Sequence, residues 1–333
     1  MKIAVLSDGG WGTALALLLL RNGHDVTLWG PFADYVEEMR QTRRNDRFLK
    51  GATLPPELGL TADLAAAVAA AEIVVQAAPT QFARGAIAKL AASGRGTDVI
   101  LVNVAKGIEL NTLKRVSEIA TELIGPGVRY CCLSGPSHAE EVHRGAVTAV
   151  TVASTDSAAA ETVQAAFMNS HFRVYTSDDV VGLELGGALK NVFAIAAGIC
   201  DGMELGDNAK AALITRGIAE MARFGQALGG RPETFSGLAG VGDMIVTCCS
   251  GHSRNRHVGE ELGRGETLDA ITTAMGMVVA EGVKTAESAH ALSQQHGIDT
   301  PIIDEVYAAL YSGKDPRRAV ADLMTRDPRP ELD

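Results

Sequence analysis

The apolar run Ile3-Ala4-Val5-Leu6 ends in a glycine-crowded turn, Ser7-Asp8-Gly9-Gly10-Trp11-Gly12, and then passes straight into a second apolar stretch of a different period. The run has the length and continuity of a buried strand, while Ala14, Leu15, Leu17, Leu18 and Leu19 predict a helix from Thr13 to about Asn22. Gly23 stops that helix, and the residues from His24 to Trp29 predict a second strand. A β-turn-α-β unit with this spacing is the setting of a dinucleotide fingerprint. Glycines permit a tight turn and close approach of backbone amides to a pyrophosphate, and the helix N-terminus favours its negative charge. The pattern is Ser7-x-Gly9-x-x-Gly12, so the usual first glycine is absent. Asp8 adds a carboxylate expected to lie close to the phosphates.

The same alternation continues. Helices are predicted over Tyr35–Arg44, Asp63–Ala71, Phe82–Ala92 and Leu113–Ile124, and strands over Ile73–Ala78, Asp98–Val104 and Arg129–Leu133. Two more strands, Ala146–Ala153 and Phe172–Thr176, follow without a long helical pattern between them. Strands alternating with helices predict a Rossmann-like, mostly parallel, doubly wound α/β sheet, with ligands gathering beyond the carboxyl ends of its strands. Gly9, Pro79, Lys106 and Ser134-Gly135-Pro136 all fall at such ends.

From Gly182 onward the periodicity turns wholly helical: Leu189–Cys200, Asn208–Gly229, Arg254–Leu262, Leu268–Met275, Lys284–His296 and Pro301–Tyr311. The expected division is a dinucleotide-binding domain over 1–182, an all-α substrate domain over 183–326 and a flexible tail over 327–333.

A net charge of −10 argues against nucleic acid as a partner, so any anionic ligand needs a local basic cluster. The five cysteines include the vicinal pairs Cys131-Cys132 and Cys248-Cys249, neither with metal-ligand spacing. They read as reduced thiols of a cytoplasmic protein. No His/Asp/Glu cluster has ligand spacing either, so no metal is expected. No apolar span is read as reaching the roughly eighteen residues that crossing a bilayer takes, and stable membrane insertion is not expected.

Four stretches carry polar or basic side chains suited to a site, three of them beside glycine. Lys106-Gly107 follows a buried strand, where a lysine can reach an anion or carbonyl or simply face solvent. In Gly186-Gly187-Ala188-Leu189-Lys190-Asn191-Val192-Phe193, two glycines open an apolar helix whose buried pattern Lys190-Asn191 interrupts. A lysine facing a dry cleft loses solvation, which lowers its pKa and suits it to proton transfer near neutral pH. The alternative is a side chain that snorkels to water. Asp243, in Gly240-Val241-Gly242-Asp243 with Thr247 nearby, can orient a lysine or cap a helix. Ser253-Arg254-Asn255-Arg256-His257 opens a helix as a phosphate site would, or forms a solvated face.

Taken together, the chain resembles bacterial-type NAD(P)-dependent glycerol-3-phosphate dehydrogenase. The matching motifs are Trp11-Gly12-Thr13-Ala14-Leu15-Ala16, Arg21-Asn22-Gly23-His24, Asn45-x-x-Phe48-Leu49 with Leu54-Pro55, Lys106-Gly107, Ser134-Gly135-Pro136-Ser137, Gly186-Gly187-Ala188-Leu189-Lys190-Asn191, Gly240-x-Gly242-Asp243, Ser253-Arg254-Asn255-Arg256 and Glu281-Gly282, in the family's order. The resemblance implies reversible hydride transfer between NADPH or NADH and dihydroxyacetone phosphate. The product, sn-glycerol 3-phosphate, would feed glycerophospholipid synthesis. It implies Lys190 as catalytic acid/base, Asp243 as the acid that positions it, and Lys106 as a lysine serving substrate, catalysis and cofactor. It implies substrate contacts at Gly135, Ser137, Lys190, Asn191, Asp243, Ser253, Arg254 and Asn255. Cofactor contacts are implied at Gly9, Gly10, Trp11, Gly12, Pro31, Ala139, Arg254, Val279 and Glu281. A homodimer formed through the helical half is expected on the same ground.

The departures from the family pattern lie in the turn. Ser7, Asp8 and Gly10 stand where the family has glycine, alanine and serine, and Pro31 replaces a basic residue that often faces the adenosine ribose. A side chain at position 7 is expected to loosen pyrophosphate approach and weaken cofactor binding, an effect that restoring Ser7→Gly and Asp8→Ala would reverse. Two alternatives stay open at this point: a dehydrogenase for a β-hydroxyacid or ketopantoate-like substrate, and a catalytically dead nucleotide sensor.

Overall fold

The computed structural model describes residues 1–328, 330 and 331. Within the expected tail, Arg329, Leu332 and Asp333 lie outside the described residues. The chain begins with β1 (Lys2–Leu6), α1 (Gly10–Arg21) and β2 (Asp25–Trp29), the unit read from the opening motif. It continues through α2 (Ala33–Thr42), β3 (Gly59–Thr61), α3 (Leu64–Val68), β4 (Ile73–Gln76), α4 (Thr80–Ala92), β5 (Ile100–Asn103), α5 (Val116–Ile124) and β6 (Arg129–Ser134). α6 (Ala139–His143), β7 (Thr148–Ala153), α7 (Ser157–Phe167) and β8 (Phe172–Ser177) complete the sheet-forming part.

The eight strands lie in the order β3-β2-β1-β4-β5-β6-β7-β8. All neighbours are parallel except β6 and β7. The order reverses between β1 and β4, and such a switch point opens a crevice at the strand ends. Register aligns those ends: Leu6 sits opposite Trp29 and Gln76, and Gln76 opposite Asn103. Ile3, Val5, Val75 and Val102 face the α1 side with its leucines. Ala4, Leu6, Val74 and Leu101 face the α4 and α5 side. Both faces are buried, so these strands read as unbroken apolar runs rather than alternating ones.

Three elements of this half differ from the sequence expectation, one of them the five-residue α6, too short to show a helical period. α7 fills the interval between the last two strands that had shown no long helical pattern. Its sequence is alanine-rich and its apolar stripe faint, but Asp156 caps it by accepting from the Ala159 amide at 3.0 Å. β3 has three residues, too few for a period, and exists because it pairs with β2.

The rest is helical: α8 (Val180–Gly202), α9 (Gly206–Ala227), α10 (Pro232–Phe235), a π-helical turn (Leu238–Gly242), α11 (Asp243–Cys249), α12 (Arg254–Gly263), α13 (Leu268–Met275), α14 (Glu281–His296), α15 (Pro301–Tyr311) and α16 (Pro316–Met324). α8 is the axis of this half. Its apolar window is long enough to cross a bilayer, against the expectation that no such span exists, but 89% of that window is buried inside the protein. Gly186 and Gly187 do not open α8, as had been expected. The helix starts nine residues before Leu189, capped by Asp179, which accepts from the Gly182 amide at 2.9 Å. The glycines are instead points of close approach: a side chain at Gly187 would come within 2.7 Å of Ser134 Oγ, and one at Gly186 within 2.9 Å of the Ala239 carbonyl. Nearby, the buried Glu184 on α8 accepts from Tyr130 Oη at 2.6 Å, the Ser117 amide at 2.9 Å and Arg115 Nη1 at 2.9 Å. These bonds fasten the first turns of α8 to β6 and α5.

Candidate active site

The opening turn is built for an anion. Gly9 stands at the N-cap of α1 and no side chain caps the helix, so its first amides face outward from the crevice end of β1. A side chain at Gly10 would come within 2.5 Å of the Phe48 carbonyl, and one at Gly12 would collide with the Ser7 carbonyl. This glycine cradle fits the pyrophosphate of a dinucleotide. Trp11 is half-buried beside it, and Ala139, which starts α6, lies against Gly10. Pro31 is exposed just beyond β2.

Ser7 carries the family departure in its backbone. Its φ is +121°, a region that favours glycine, and its Oγ accepts from the Gly9 amide at 3.3 Å. Asp8 is only 3% exposed. Its carbonyl accepts from Asn45 Nδ2 at 2.7 Å and from Thr13 Oγ1 at 3.2 Å, which pins the residue. Its Oδ2 is buried without a hydrogen-bond partner among the described residues. Burial pushes the carboxyl up to about 6.

At the ends of β4 and β5, two buried amides shape the loops that follow. Gln76 bonds reciprocally with Ala78, both distances 2.9 Å, and Asn103 with Ala105, both 3.1 Å. The second pair aims Lys106 across the crevice, where its Nζ donates to the Gly135 carbonyl at 3.0 Å and to Asp243 Oδ2 at 2.6 Å. Asp243 Oδ1 accepts from Lys190 Nζ at 2.6 Å, and that ammonium also donates to Thr247 Oγ1 at 2.6 Å. Thr247 in turn donates to the Asp243 carbonyl at 2.6 Å. Asp243 is 1% exposed and Lys190 6%.

One buried carboxylate thus sits between two ammonium groups. Burial alone would raise the Asp243 pKa, but the charges of Lys106 and Lys190 hold it below the ordinary carboxylate range. Burial depresses Lys190 to about 8, helped by the charge of Lys106 and opposed by Asp243. The reading of Lys190 as a lysine snorkelling to water is excluded, and so is Asp243 as a helix cap: it is the first residue of α11 and spends both oxygens on lysines.

Asn191, one residue on, donates to the Lys106 carbonyl at 2.9 Å and accepts from Asn255 Nδ2 at 2.9 Å. Asn255 Oδ1 accepts from the Gly282 amide at 2.9 Å. Ser253 is the N-cap of α12, its Oγ accepting from the Arg256 amide at 3.2 Å. Arg254 is exposed, with no hydrogen-bond or ion-pair partner among the described residues. Arg256 turns away to Asp201 at 2.6 Å, so the basic run splits into an engaged arginine and an available one. Ser137 Oγ donates to the Gly135 carbonyl at 2.8 Å.

Glu281 had been expected among cofactor contacts. Here its Oε1 accepts from the amide and hydroxyl of Thr80, at 2.8 and 2.9 Å, and its Oε2 from the Lys106 amide at 3.3 Å. Val279 is half-buried just before α14. The sequence reading placed Thr247 near Asp243 without a contact of its own, and it gave no part to Thr80, Gln76 or Asn103. The signal for the two amides was available: each is a lone polar residue at the end of an apolar strand run.

Comparison with known proteins matches this arrangement. Residues 2–160 match the model for the N-terminus of NAD-dependent glycerol-3-phosphate dehydrogenase, and residues 179–321 match the model for its C-terminus. The chain is 52% identical over 333 residues to glycerol-3-phosphate dehydrogenase [NAD(P)+] of Trichlorobacter lovleyi, covering 99% of each chain. It is 51% identical over 332 residues to that of Geobacter sulfurreducens, covering 99% of this chain and 98% of the other. The crystal structure of glycerol-3-phosphate dehydrogenase from Coxiella burnetii superimposes with a TM-score of 0.94 at 37% identity, covering 97% of this chain and 98% of that one. With both halves matched and the motifs gathered around one crevice, the chain belongs to the NAD-dependent glycerol-3-phosphate dehydrogenase family.

Proposed function

We propose that the protein reduces dihydroxyacetone phosphate to sn-glycerol 3-phosphate, reversibly, with a nicotinamide dinucleotide as hydride carrier, and that Lys190 moves the proton. The amides of Gly9 to Gly12 would hold the dinucleotide by its pyrophosphate, and the bound nicotinamide would supply or accept the hydride. Lys190 Nζ donates its proton to the substrate's carbonyl oxygen as that oxygen gains charge, and takes it back in the oxidative direction. Asp243 and Thr247 are positioning residues: both fix the ammonium, and Asp243 keeps it charged enough to act as an acid near pH 8.

Lys106 adds a second positive charge beside the developing oxyanion. Two ammoniums around one carboxylate leave a net charge of one, and this local positive surplus on an acidic protein is the observation that carries the reading. It favours an anionic substrate. Arg254, available at the start of α12, and the chain Asn191–Asn255 would receive the phosphate end, with Gly135 and Ser137 closing the opposite side. We assign the sheet, residues 1–182, to the cofactor and the helices, 183–326, to the substrate, in a cytoplasmic homodimer. The five thiols are unpaired, as a reducing compartment keeps them.

The test is oxidation of NADH and NADPH by the purified protein with dihydroxyacetone phosphate and with unphosphorylated dihydroxyacetone. Turnover confined to the phosphate ester is expected, and none with it would overturn the reading.

A further inference from the structure

In sheets of this kind the adenosine ribose is read where the second strand ends. An acid there accepts from the 2′-hydroxyl of NAD, and a cation there accommodates the 2′-phosphate of NADP. Here that strand end is Trp29-Gly30-Pro31-Phe32, with neither. The neighbouring strand supplies the missing group. Asp8 follows β1, whose last residue is in register with Trp29. Its Oδ2 lies so close to Gly30 that any side chain at that position would collide with it. Bonds from Asn45 and Thr13 to its backbone hold Asp8 in place, and that oxygen is buried with no partner among the described residues.

An unsatisfied buried carboxylate oxygen is costly, and such a group in a native structure calls for an explanation. We propose that Asp8 is the ribose reader of this chain, accepting a hydrogen bond from the 2′-hydroxyl and repelling a 2′-phosphate, so that the protein prefers NAD(H) over NADP(H). The inference rests on the dehydrogenase reading above. The sequence alone treated Ser7 and Asp8 as one defect of the fingerprint. Geometry separates them: Ser7 shapes the turn, while the Asp8 side chain faces the end of β2.

The cation to weigh against it is Arg47, the one charged group acting on Asp8. Its guanidinium stacks on Tyr35 at 3.9 Å and stands 4.0 Å from Glu38, with no hydrogen bond to Asp8. Leaving the loop to meet a 2′-phosphate would cost both contacts.

The experiment is titration of the full-length protein with NADH and with NADPH alone, read by calorimetry and by shift of the melting temperature. The wild type should bind NADH at least about tenfold more tightly, because like charges placed together are strongly disfavoured. Asp8→Ala should weaken NADH and strengthen NADPH, bringing the two dissociation constants within about threefold. Asp8→Asn keeps the shape and an acceptor but loses the charge, so it should improve NADPH while leaving NADH nearly unchanged. Equal or tighter NADPH binding by the wild type overturns the inference and leaves the dehydrogenase reading standing. So does an Asp8→Ala effect of the same factor on both dinucleotides, or a selectivity that only Arg47→Ala alters. If neither dinucleotide binds, the dehydrogenase reading falls and the inference falls with it.

Discussion

Asp8 and Asp243 are both buried carboxylates at the mouth of the same crevice, and their surroundings drive them in opposite directions. Asp243 has a lysine on each oxygen and stays ionised although it is 1% exposed. Asp8 is 3% exposed, has one oxygen with no partner and is pushed up to about 6. Desolvation is the leading influence on both, and what separates them is the counter-charge. A carboxylate between two ammoniums is a fixed part of a reaction centre, whereas one that lacks a partner waits for a ligand to provide it.

The contrast can be broken first at Lys190. Lys190→Ala should lower kcat on the order of 10²–10⁴-fold with a smaller change in KM for dihydroxyacetone phosphate, since it removes the proton donor and leaves Asp243 paired with Lys106. In the intact protein the rate of reduction should fall as pH rises through about 8, where Lys190 loses its proton, and the rate of oxidation should rise over the same interval. Rate profiles flat through that interval in both directions would remove Lys190 from the chemistry.

Removing the shared counter-charge comes next. Asp243→Asn leaves the buried Lys190 ammonium facing the partly buried Lys106 ammonium with no carboxylate between them, and breaking a buried pair this way costs about 3–5 kcal/mol. Chemical denaturation should register that loss, and the pH midpoint of oxidation should move to lower pH as Lys190 becomes easier to deprotonate.

Asp8→Asn should act in the reverse sense. The folded pKa of Asp8 lies above its ordinary value of 3.8, so its contribution to stability is fully present below pH 3.8 and is lost as pH rises through about 6. Replacing it should therefore stabilise the cofactor-free protein at pH 8 by on the order of 2–3 kcal/mol, with the gain vanishing near pH 4. A variant that melts lower than the parent at pH 8 would mean that the carboxylate has a partner after all.

The smallest effect belongs to Ser7. Ser7→Gly relieves a positive φ at the expense of a floppier unfolded chain, for a net gain of about 1 kcal/mol, and should tighten binding of either dinucleotide by letting the turn close on the pyrophosphate. Unchanged affinity would show that the serine is accommodated without loss.

Much of this is legible in the sequence. β1, α1 and β2 follow from apolar runs whose period changes at a glycine turn. The bounds of α13 and α15, of eight and eleven residues, match the sequence expectation to the residue. The start of α8 was not, because glycines ordinarily mark helix ends. Here they lie inside the helix to let Ser134 and the Ala239 carbonyl come close, which depends on partners far away in sequence. α7 was missed because alanines bury little area and leave a weak stripe. β3 was missed because a three-residue edge strand is defined by its neighbour.

The sequence by itself determined what local pattern can carry: the alternation that makes a doubly wound sheet, the helical second half, the glycine turn, and motifs whose order identifies a family. Only the tertiary structure decided the electrostatics. Lys106 and Asp243 are 137 residues apart, and Lys190 and Asp243 are 53 apart, so nothing local says that the three share one buried site. Nor does anything local say that Asp8 faces Gly30 with an unsatisfied oxygen. Periodicity is a property of neighbours along the chain, whereas a pKa is set by the charges and the water that folding brings near or drives away.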